Sequence, residues 1–416
     1  MINEIIIVFL ILLAAKTGAE LYLDRLNRAN VLRFADAPPE SVKEAMPADT
    51  YKRSVEYTLA KSRFSVVETL WGAVILAAVV LSGFLPWFYG FFGGEEGRSV
   101  WSEGLFFVSV LVLLSIPSMP LEWWSQFRLE ERFGFNKMTM KLWISDRVKG
   151  LVIGLIIGYP LVCLLLALVN WGGSYWWVWA FAVFFLFQLV MMVVYPMLIM
   201  PLFNKFTPLP EGGLKTRLME LAERTGFRAK TIQVMDGSKR SSHSNAFFTG
   251  FGRFRRIVLF DTLMEQLDEP ELEAVLAHEI GHYKKGHIPK MLALSAAMVF
   301  LAFGIIAWLA ERAWFYEAFG FDPETAGLAP AFLLFAIVSG LVTFWLSPLF
   351  NLMSRKHEYE ADGFARDSVG DASPLIGALR KLSEKNLSNL TPHPLYSAVY
   401  YSHPTLVERE AAMKEA

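Results

Sequence analysis

The sequence predicts a mainly α-helical, polytopic membrane protein with about seven transmembrane helices and a small α+β domain. Hydrophobic residues make up 54% of the 416 residues, and the mean hydropathy is +0.38. Several apolar segments reach the roughly 20 residues that a helix needs to cross a bilayer. A long, more polar stretch between them contains the pattern His-Glu-x-x-His, which is typical of zinc peptidases.

Composition excludes several other classes of protein. The net charge of −1 gives no indication of a nucleic-acid partner. With Cys163 as the single cysteine, neither an internal disulfide framework nor a cysteine-rich zinc site is available. The first residues, Met-Ile-Asn-Glu, lack the basic region of a cleaved signal peptide, so we expect a retained first span.

Seven apolar segments are predicted to span the membrane. The first contains Lys16 and Glu20, which are unfavourable inside a bilayer, whereas proline within or beside the later segments is tolerated. The predicted spans are 3–23, 64–92, 103–121, 151–170, 176–203, 291–310 and 330–350.

The connecting segments alternate in their content of Lys and Arg. Four of them are rich in basic residues, whereas 93–102 has only Arg98 and 311–329 only Arg312. The positive-inside rule therefore places the basic segments and the C-terminus in the cytoplasm, and the N-terminus outside. The basic segments are 24–63, 122–150, 204–290 and 351–416.

We expect four consecutive regions: spans 1–5 (1–203), a soluble loop domain (204–290), spans 6–7 (291–350) and a cytoplasmic C-terminal segment (351–416). In the loop domain, Leu spacing over 211–226 predicts an amphipathic helix. Short strand-like runs follow, and glycines between the last two indicate a hairpin. The predicted strands are 231–235, 245–249 and 256–260, with a polar loop at 236–244.

The motif helix carries two imidazoles on one face. His278 and His282 are four residues apart, so both are directed at one point, as two ligands of a tetrahedral zinc ion would be. Glu279 lies beside them and is placed to act as a general base. Gly281 is a poor helix former, and a local rule broken inside a motif supports a functional role.

A catalytic zinc needs a third protein ligand. His287 is one residue short of the spacing known from one group of zinc peptidases, so we expect it at the end of the motif helix, facing the helix dipole. Glu358 and Asp362 are the better candidates, because spans 6 and 7 return them to the same side of the membrane. Two interpretations stay open: a ligand with its hydrogen-bonding partner, or a solvated acidic helix face.

The sequence resembles the integral-membrane zinc metalloproteases called CAAX prenyl protease 1. The resemblance covers nearly the whole chain and rests on an ordered set of motifs. It implies one Zn²⁺ per chain, with His278, His282 and Glu358 as ligands and Glu279 as base. The matching stretches are 201–209, 237–246, 256–263, 278–282, 358–362 and 401–404, together with 408–409.

The resemblance also implies that Asn245, His403 and Arg409 line the active site and that the spans enclose a large chamber. From the residues alone, Asn245 begins a strand whose edge can pair with a substrate backbone, or it caps its own turn. His403 and Arg409 can stabilise a developing oxyanion, or they are surface residues near the terminus.

These features predict a membrane zinc endopeptidase that cleaves peptide or protein substrates near a prenylated or otherwise hydrophobic C-terminus. A quality-control protease for membrane proteins is the closest alternative. A transporter with an incidental metal site is an alternative of another class, and it should show ionisable residues within its spans. Apart from Lys16, Glu20 and Glu68, the predicted spans contain almost none.

Overall fold

The computed structural model describes residues 3–92, 99–227, 231–249 and 256–415. Helices dominate, and one small sheet interrupts them. The helices are α1 (Glu4–Phe34), α2 (Glu40–Ala45), α3 (Ala48–Leu81), α4 (Phe84–Tyr89), α5 (Val100–Ser115), α6 (Met119–Trp124), α7 (Glu131–Phe133), α8 (Met140–Gly172), α9 (Trp176–Val194), α10 (Gly213–Arg224), α11 (Asp261–Gln266), α12 (Glu269–Lys284), α13 (His287–Ala310), α14 (Ala313–Ala318), α15 (Leu328–Thr343), α16 (Ser347–Val369), α17 (Ser373–Lys385), α18 (Pro394–Tyr400) and α19 (Leu406–Glu415). The strands are β1 (Phe206–Pro208), β2 (Thr231–Met235), β3 (Ala246–Thr249) and β4 (Arg256–Phe260).

The described residues contain six helical stretches that are long and apolar enough to cross a membrane. One of them, Met140–Leu202, is 63 residues long and holds two helices, α8 and α9, which meet at the turn Gly173–Tyr175 and pack against each other. The predicted fold class, with about seven membrane helices and a small α+β part, is therefore confirmed. The two charges in α1 form an i,i+4 ion pair, Lys16 Nζ to Glu20 Oε1 at 2.8 Å, which reduces the cost of placing them near lipid.

Helix bounds differ from the predicted spans where helices continue beyond the apolar stretch. For the predicted span 64–92, α3 begins at Ala48 and ends at Leu81, because Gly83 adopts a left-handed φ of 72° and breaks the chain before α4. The last predicted span ends within α16, a helix that continues to Val369. Hydropathy locates the apolar part of a helix but not its polar extension.

The sheet has the strand order β1-β2-β4-β3. The predicted antiparallel pairing of β3 with β4 is present, and the hairpin turn between them lies outside the described residues. β2 and β4 run parallel, whereas β1, which the sequence analysis missed because it is only three residues long, pairs antiparallel with β2. Within the described chain, β3 is therefore an edge strand.

Two separate stretches of the chain build the core around the sheet. Leu218, Ile257 and Leu276 come from the loop region, whereas Ala365 and Leu375 come from the segment after the last span, and all five are buried in one cluster. Because spans α13 and α15 lie between these stretches in the sequence, the α+β unit closes only when the two spans bring its halves together.

Helices α12 and α16 pack directly against each other, and Gly281 sets their separation. A Cβ at Gly281 would lie 3.0 Å from Ala361 Cα and 3.1 Å from the Ala361 carbonyl oxygen. Both atoms belong to the backbone, so they can move only if the whole helix moves. The glycine in the motif thus permits the close approach of two helices.

Substituting Gly281 with Ala should force the two helices apart and lower stability by about 1–3 kcal/mol, despite the higher helix propensity of Ala. We expect a lower thermal-unfolding midpoint in detergent and weaker metal retention. Gly363→Ala in α16 is the matched control, because its Cβ would meet no atom within 4 Å. Equal midpoints for the two variants would contradict the proposed close contact.

Candidate active site

The motif helix α12 begins with a capping box. The Asp268 side chain accepts a hydrogen bond from Glu271 N, and the Glu271 side chain accepts one from Asp268 N. Buried Glu273 binds Arg217 and Arg224 of α10, which fixes the helix against its neighbour. The His-Glu-x-x-His segment is therefore carried on a firmly anchored helix.

The structure brings His278, His282 and Glu358 together in one cluster. One nitrogen of each histidine and one carboxylate oxygen lie within 4.8 Å of one another. His278 Nε2 is 3.1 Å from His282 Nε2, and the two nitrogens lie 3.4 and 3.3 Å from Oε2 and Oε1 of Glu358. His282 and Glu358 are 76 residues apart in the sequence, and they come together because α16 packs on α12.

This cluster has the chemistry of a metal site. Glu358 is 3% exposed, yet its Oε2 has no hydrogen-bond partner among the described residues. An unsatisfied buried carboxylate oxygen is costly, and a cation bound beside it removes that cost. Two imidazoles and a carboxylate are also a donor set that zinc uses in catalytic sites.

The Nδ1 atom of His278 contacts a buried ion pair. Asp362 Oδ1 lies 2.8 Å from His278 Nδ1, and Arg409 donates two hydrogen bonds to the Asp362 carboxylate. Burial disfavours a charged imidazole, but the carboxylates of Asp362 and Glu358 beside the ring raise the pKa of His278 to about 9. The site therefore stabilises positive charge at the place where the three candidate ligands meet.

Glu279 is partly buried beside the cluster. Desolvation of its carboxyl raises the pKa of Glu279, while the neighbouring His278 and His282 act in the opposite direction. A carboxylate with a raised pKa is better matched to proton transfer near neutral pH than an ordinary glutamate.

His403 and Arg409 both reach Glu358 from the C-terminal segment. His403 Nε2 lies 3.3 Å from Glu358 Oε1, and its Nδ1 is 2.9 Å from the Ser402 hydroxyl. Arg409 is buried and places Nη1 3.7 Å from Glu358 Oε2. His403 is open to solvent, whereas two nitrogens of Arg409 are committed to Asp362, so the two side chains are not equivalent.

Asn245 is exposed and immediately precedes the edge strand β3. Its Oδ1 accepts from Ala246 N at 2.8 Å, which is the turn-capping geometry that the sequence left open. Side chains of Phe247 and Phe248 line a cavity of about 580 Å³ together with Glu279 and His282. The strand that Asn245 begins therefore borders the same space as the candidate catalytic residues.

His287 does not occupy the place that the sequence analysis predicted. It begins α13 instead of ending the motif helix, which stops at Lys284, so the expectation that it faces the negative end of that helix dipole is wrong. It is 3% exposed and contacts His282 and Glu360. The spacing could not show this, because a left-handed residue, Gly286, lies between the end of α12 and the start of α13.

Comparison with known proteins supports the assignment to the membrane-bound peptidases. The profile "CAAX prenyl protease N-terminal, five membrane helices" matches residues 27–205, and the profile "Peptidase family M48" matches residues 208–416. "CAAX prenyl protease 1 homolog" from Arabidopsis thaliana is 37% identical over 95% of this chain and 94% of its own. "CAAX prenyl protease 1" from Saccharomyces cerevisiae is also 37% identical, over 90% of this chain and 88% of its own.

A solved structure is similar over almost the full length. The crystal structure of S. mikatae Ste24p has a TM-score of 0.91 and 34% identity, covering 98% of both chains. Fold, site and profiles together define a membrane-embedded metalloendopeptidase. The chain belongs to peptidase family M48 and, within it, to the CAAX prenyl protease 1 family. Nothing in these comparisons supports a transporter.

Proposed function

We propose that this protein is a zinc endopeptidase that cleaves near the C-terminus of prenylated CAAX-type substrates or of others with a hydrophobic tail. The observation that carries the proposal is the convergence of His278, His282 and Glu358, whose buried Oε2 lacks a hydrogen-bond partner among the described residues. The names of the relatives support the substrate class.

His278, His282 and Glu358 would hold one zinc ion per chain. Zinc bound there would polarise the scissile carbonyl and lower the pKa of a water molecule. The remaining chemistry belongs to side chains of this chain. Glu279 takes the proton of the attacking water and later gives it to the leaving amine, a role that its raised pKa favours.

Two residues of the C-terminal segment would complete the site. His403 is solvent-accessible, so its Nε2 can donate to the oxygen on which negative charge develops. Arg409 acts on Asp362, which fixes the orientation of His278, and its Nη1 adds positive charge near Glu358. Asp362 is therefore proposed as the hydrogen-bonding partner of a ligand histidine.

Substrate would bind as an extended chain. Because β3 is an edge strand among the described residues and borders the candidate catalytic cavity, it can pair with a peptide backbone, and Asn245 at its start can contact that backbone. A second cavity of about 670 Å³ reaches His403 and Arg409 and is lined by residues of α3. We propose that such spaces belong to a chamber enclosed by the spans.

The candidate active site would face the cytoplasm. The basic residues of 204–290 and 351–416 support this orientation through the positive-inside rule, and it leaves the N-terminus outside. The α+β unit and the C-terminal segment are on one side, since they share one core.

Measurement of bound zinc should distinguish the proposed metal ligands from the proposed general base. Purified protein should contain one zinc per chain, and Glu279→Gln should retain it while losing hydrolysis by several orders of magnitude. Glu358→Ala should lose the zinc, because it removes a ligand. Metal analysis that showed the reverse, zinc lost with Glu279→Gln and retained with Glu358→Ala, would overturn both assignments.

Topology can be tested with single cysteines in a Cys163→Ser background. Glu220 in α10 and Glu324 before α15 are both exposed, so they form a matched pair on opposite predicted sides. A membrane-impermeant maleimide should label Glu324→Cys in intact cells and Glu220→Cys only after permeabilisation. Labelling of Glu220→Cys from outside would disprove the orientation.

Kinetics with farnesylated and unmodified C-terminal CAAX peptides tests the substrate class. Burial of a farnesyl chain contributes several kcal/mol at about 25 cal/mol per Å², mostly as ground-state binding. Removing the lipid should therefore raise KM more than it lowers kcat. If kcat collapsed while KM stayed constant, the lipid would act on the transition state. Hydrolysis of unrelated unfolded membrane proteins, with neither CAAX peptide cleaved, would favour the quality-control alternative.

A further inference from the structure

Two side chains, His287 and Glu360, extend a row of hydrogen bonds from His282 away from the candidate metal cluster. His282 Nδ1 lies 3.0 Å from His287 Nδ1, and His287 Nε2 lies 3.0 Å from Glu360 Oε2. The ring of His287 stacks on His357, with centroids 4.0 Å apart and planes inclined by 12°. None of these three outer residues belongs to the cluster of His278, His282 and Glu358.

The donors and acceptors in this row of side chains decide which ring nitrogen of each histidine carries a hydrogen. Glu360 is partly exposed and has Lys356 Nζ 3.9 Å away, so it is an ionised carboxylate that can only accept. His287 must then carry its hydrogen on Nε2. At 3% exposure, between two other imidazoles, His287 is unfavourable as a cation, so its Nδ1 is an acceptor.

This arrangement fixes the tautomer of His282. Its Nδ1–H donates to His287 Nδ1, which leaves Nε2 with a free lone pair. Nε2 is the atom that lies 3.1 Å from His278 Nε2 and 3.3 Å from Glu358 Oε1. If His287 were turned or replaced by an apolar side chain, the hydrogen of His282 could move to Nε2 and compete with a metal.

We propose that His287 is a positioning residue that, together with Glu360, holds His282 in its metal-binding tautomer and orientation. Asp362 does the same for His278 through a direct carboxylate contact of 2.8 Å. One helix, α16, thus supplies a ligand in Glu358 and an anchoring carboxylate for each of the two histidines. The inference rests on the proposed zinc site and goes beyond it.

The alternative is that His287 is a packing residue that joins α12 to α13. The two interpretations predict different effects when the His287 ring is replaced by an apolar ring of similar shape. His287→Phe keeps the stack on His357 and removes both hydrogen bonds. His287→Asn gives up the stack but puts Oδ1, an acceptor, close to the position of Nδ1. A packing role favours Phe, whereas a positioning role favours Asn.

The test is zinc competition against a chromophoric chelator, with the full chain purified in detergent. We expect His287→Phe to weaken zinc binding by about 10–100-fold, as removal of such partners typically does, and His287→Asn to recover most of that loss. His357→Phe is the matched control, because it keeps the ring stack and contacts the same face without changing the hydrogen bonds of His287. The visible spectrum of the cobalt(II)-loaded protein should shift with His287→Phe and resemble wild type with His287→Asn.

The outcomes distinguish a failure of this inference from a failure of the proposed function. Zinc affinity unchanged by His287→Phe, or lowered equally by His287→Asn, overturns the inference and leaves the zinc site intact. Wild-type protein that binds no zinc instead overturns the proposed function. If His287→Phe does not fold, Glu360→Ala replaces it, since it removes the outer acceptor at a partly exposed position and should weaken zinc binding in the same direction.

Discussion

The contact between helices α12 and α16 is the constraint on which the rest of the molecule depends. Gly281 lets the two backbones approach to a distance at which any larger residue would meet Ala361. At that separation, His278 and His282 on one helix meet Glu358 and Asp362 on the other. Without it, the histidines and carboxylates would be two ordinary polar faces, because hydrogen bonds and metal bonds tolerate only a few tenths of an ångström.

Charge balance explains why so polar a cluster can be buried. Two carboxylates four residues apart on α16 repel each other, and both are nearly inaccessible to water. Arg409 neutralises one through paired hydrogen bonds with Asp362, and a metal cation bound by Glu358 would neutralise the other. Buried charges are retained at a cost in stability, so such a network is better explained by function than by folding.

The membrane spans act as the frame of the peptidase unit. α12 is joined to α13 through the turn at Gly286, and α15 leads through a single turn into α16, so both helices that carry candidate ligands are continuous with spans. A third connection comes from Arg240, which binds Asp146 of α8 and the Asn204 side chain and thus ties the loop before β3 to the membrane helices. The position of the edge strand relative to the membrane helices is therefore set by several independent contacts.

The sequence by itself determined the membrane class, about seven spans, the hairpin of β3 and β4, and the helical pairs His278/His282 and Glu358/Asp362. These depend on local hydropathy and on helical or strand periodicity, which one stretch of chain displays. Only the tertiary structure decided that the pairs meet, that Arg409 joins Asp362, and that β1 completes the sheet. It also decided that His287 begins α13 and contacts His282. Such contacts join residues far apart in the sequence or across a left-handed turn, and spacing carries no information about them because they depend on how whole helices pack.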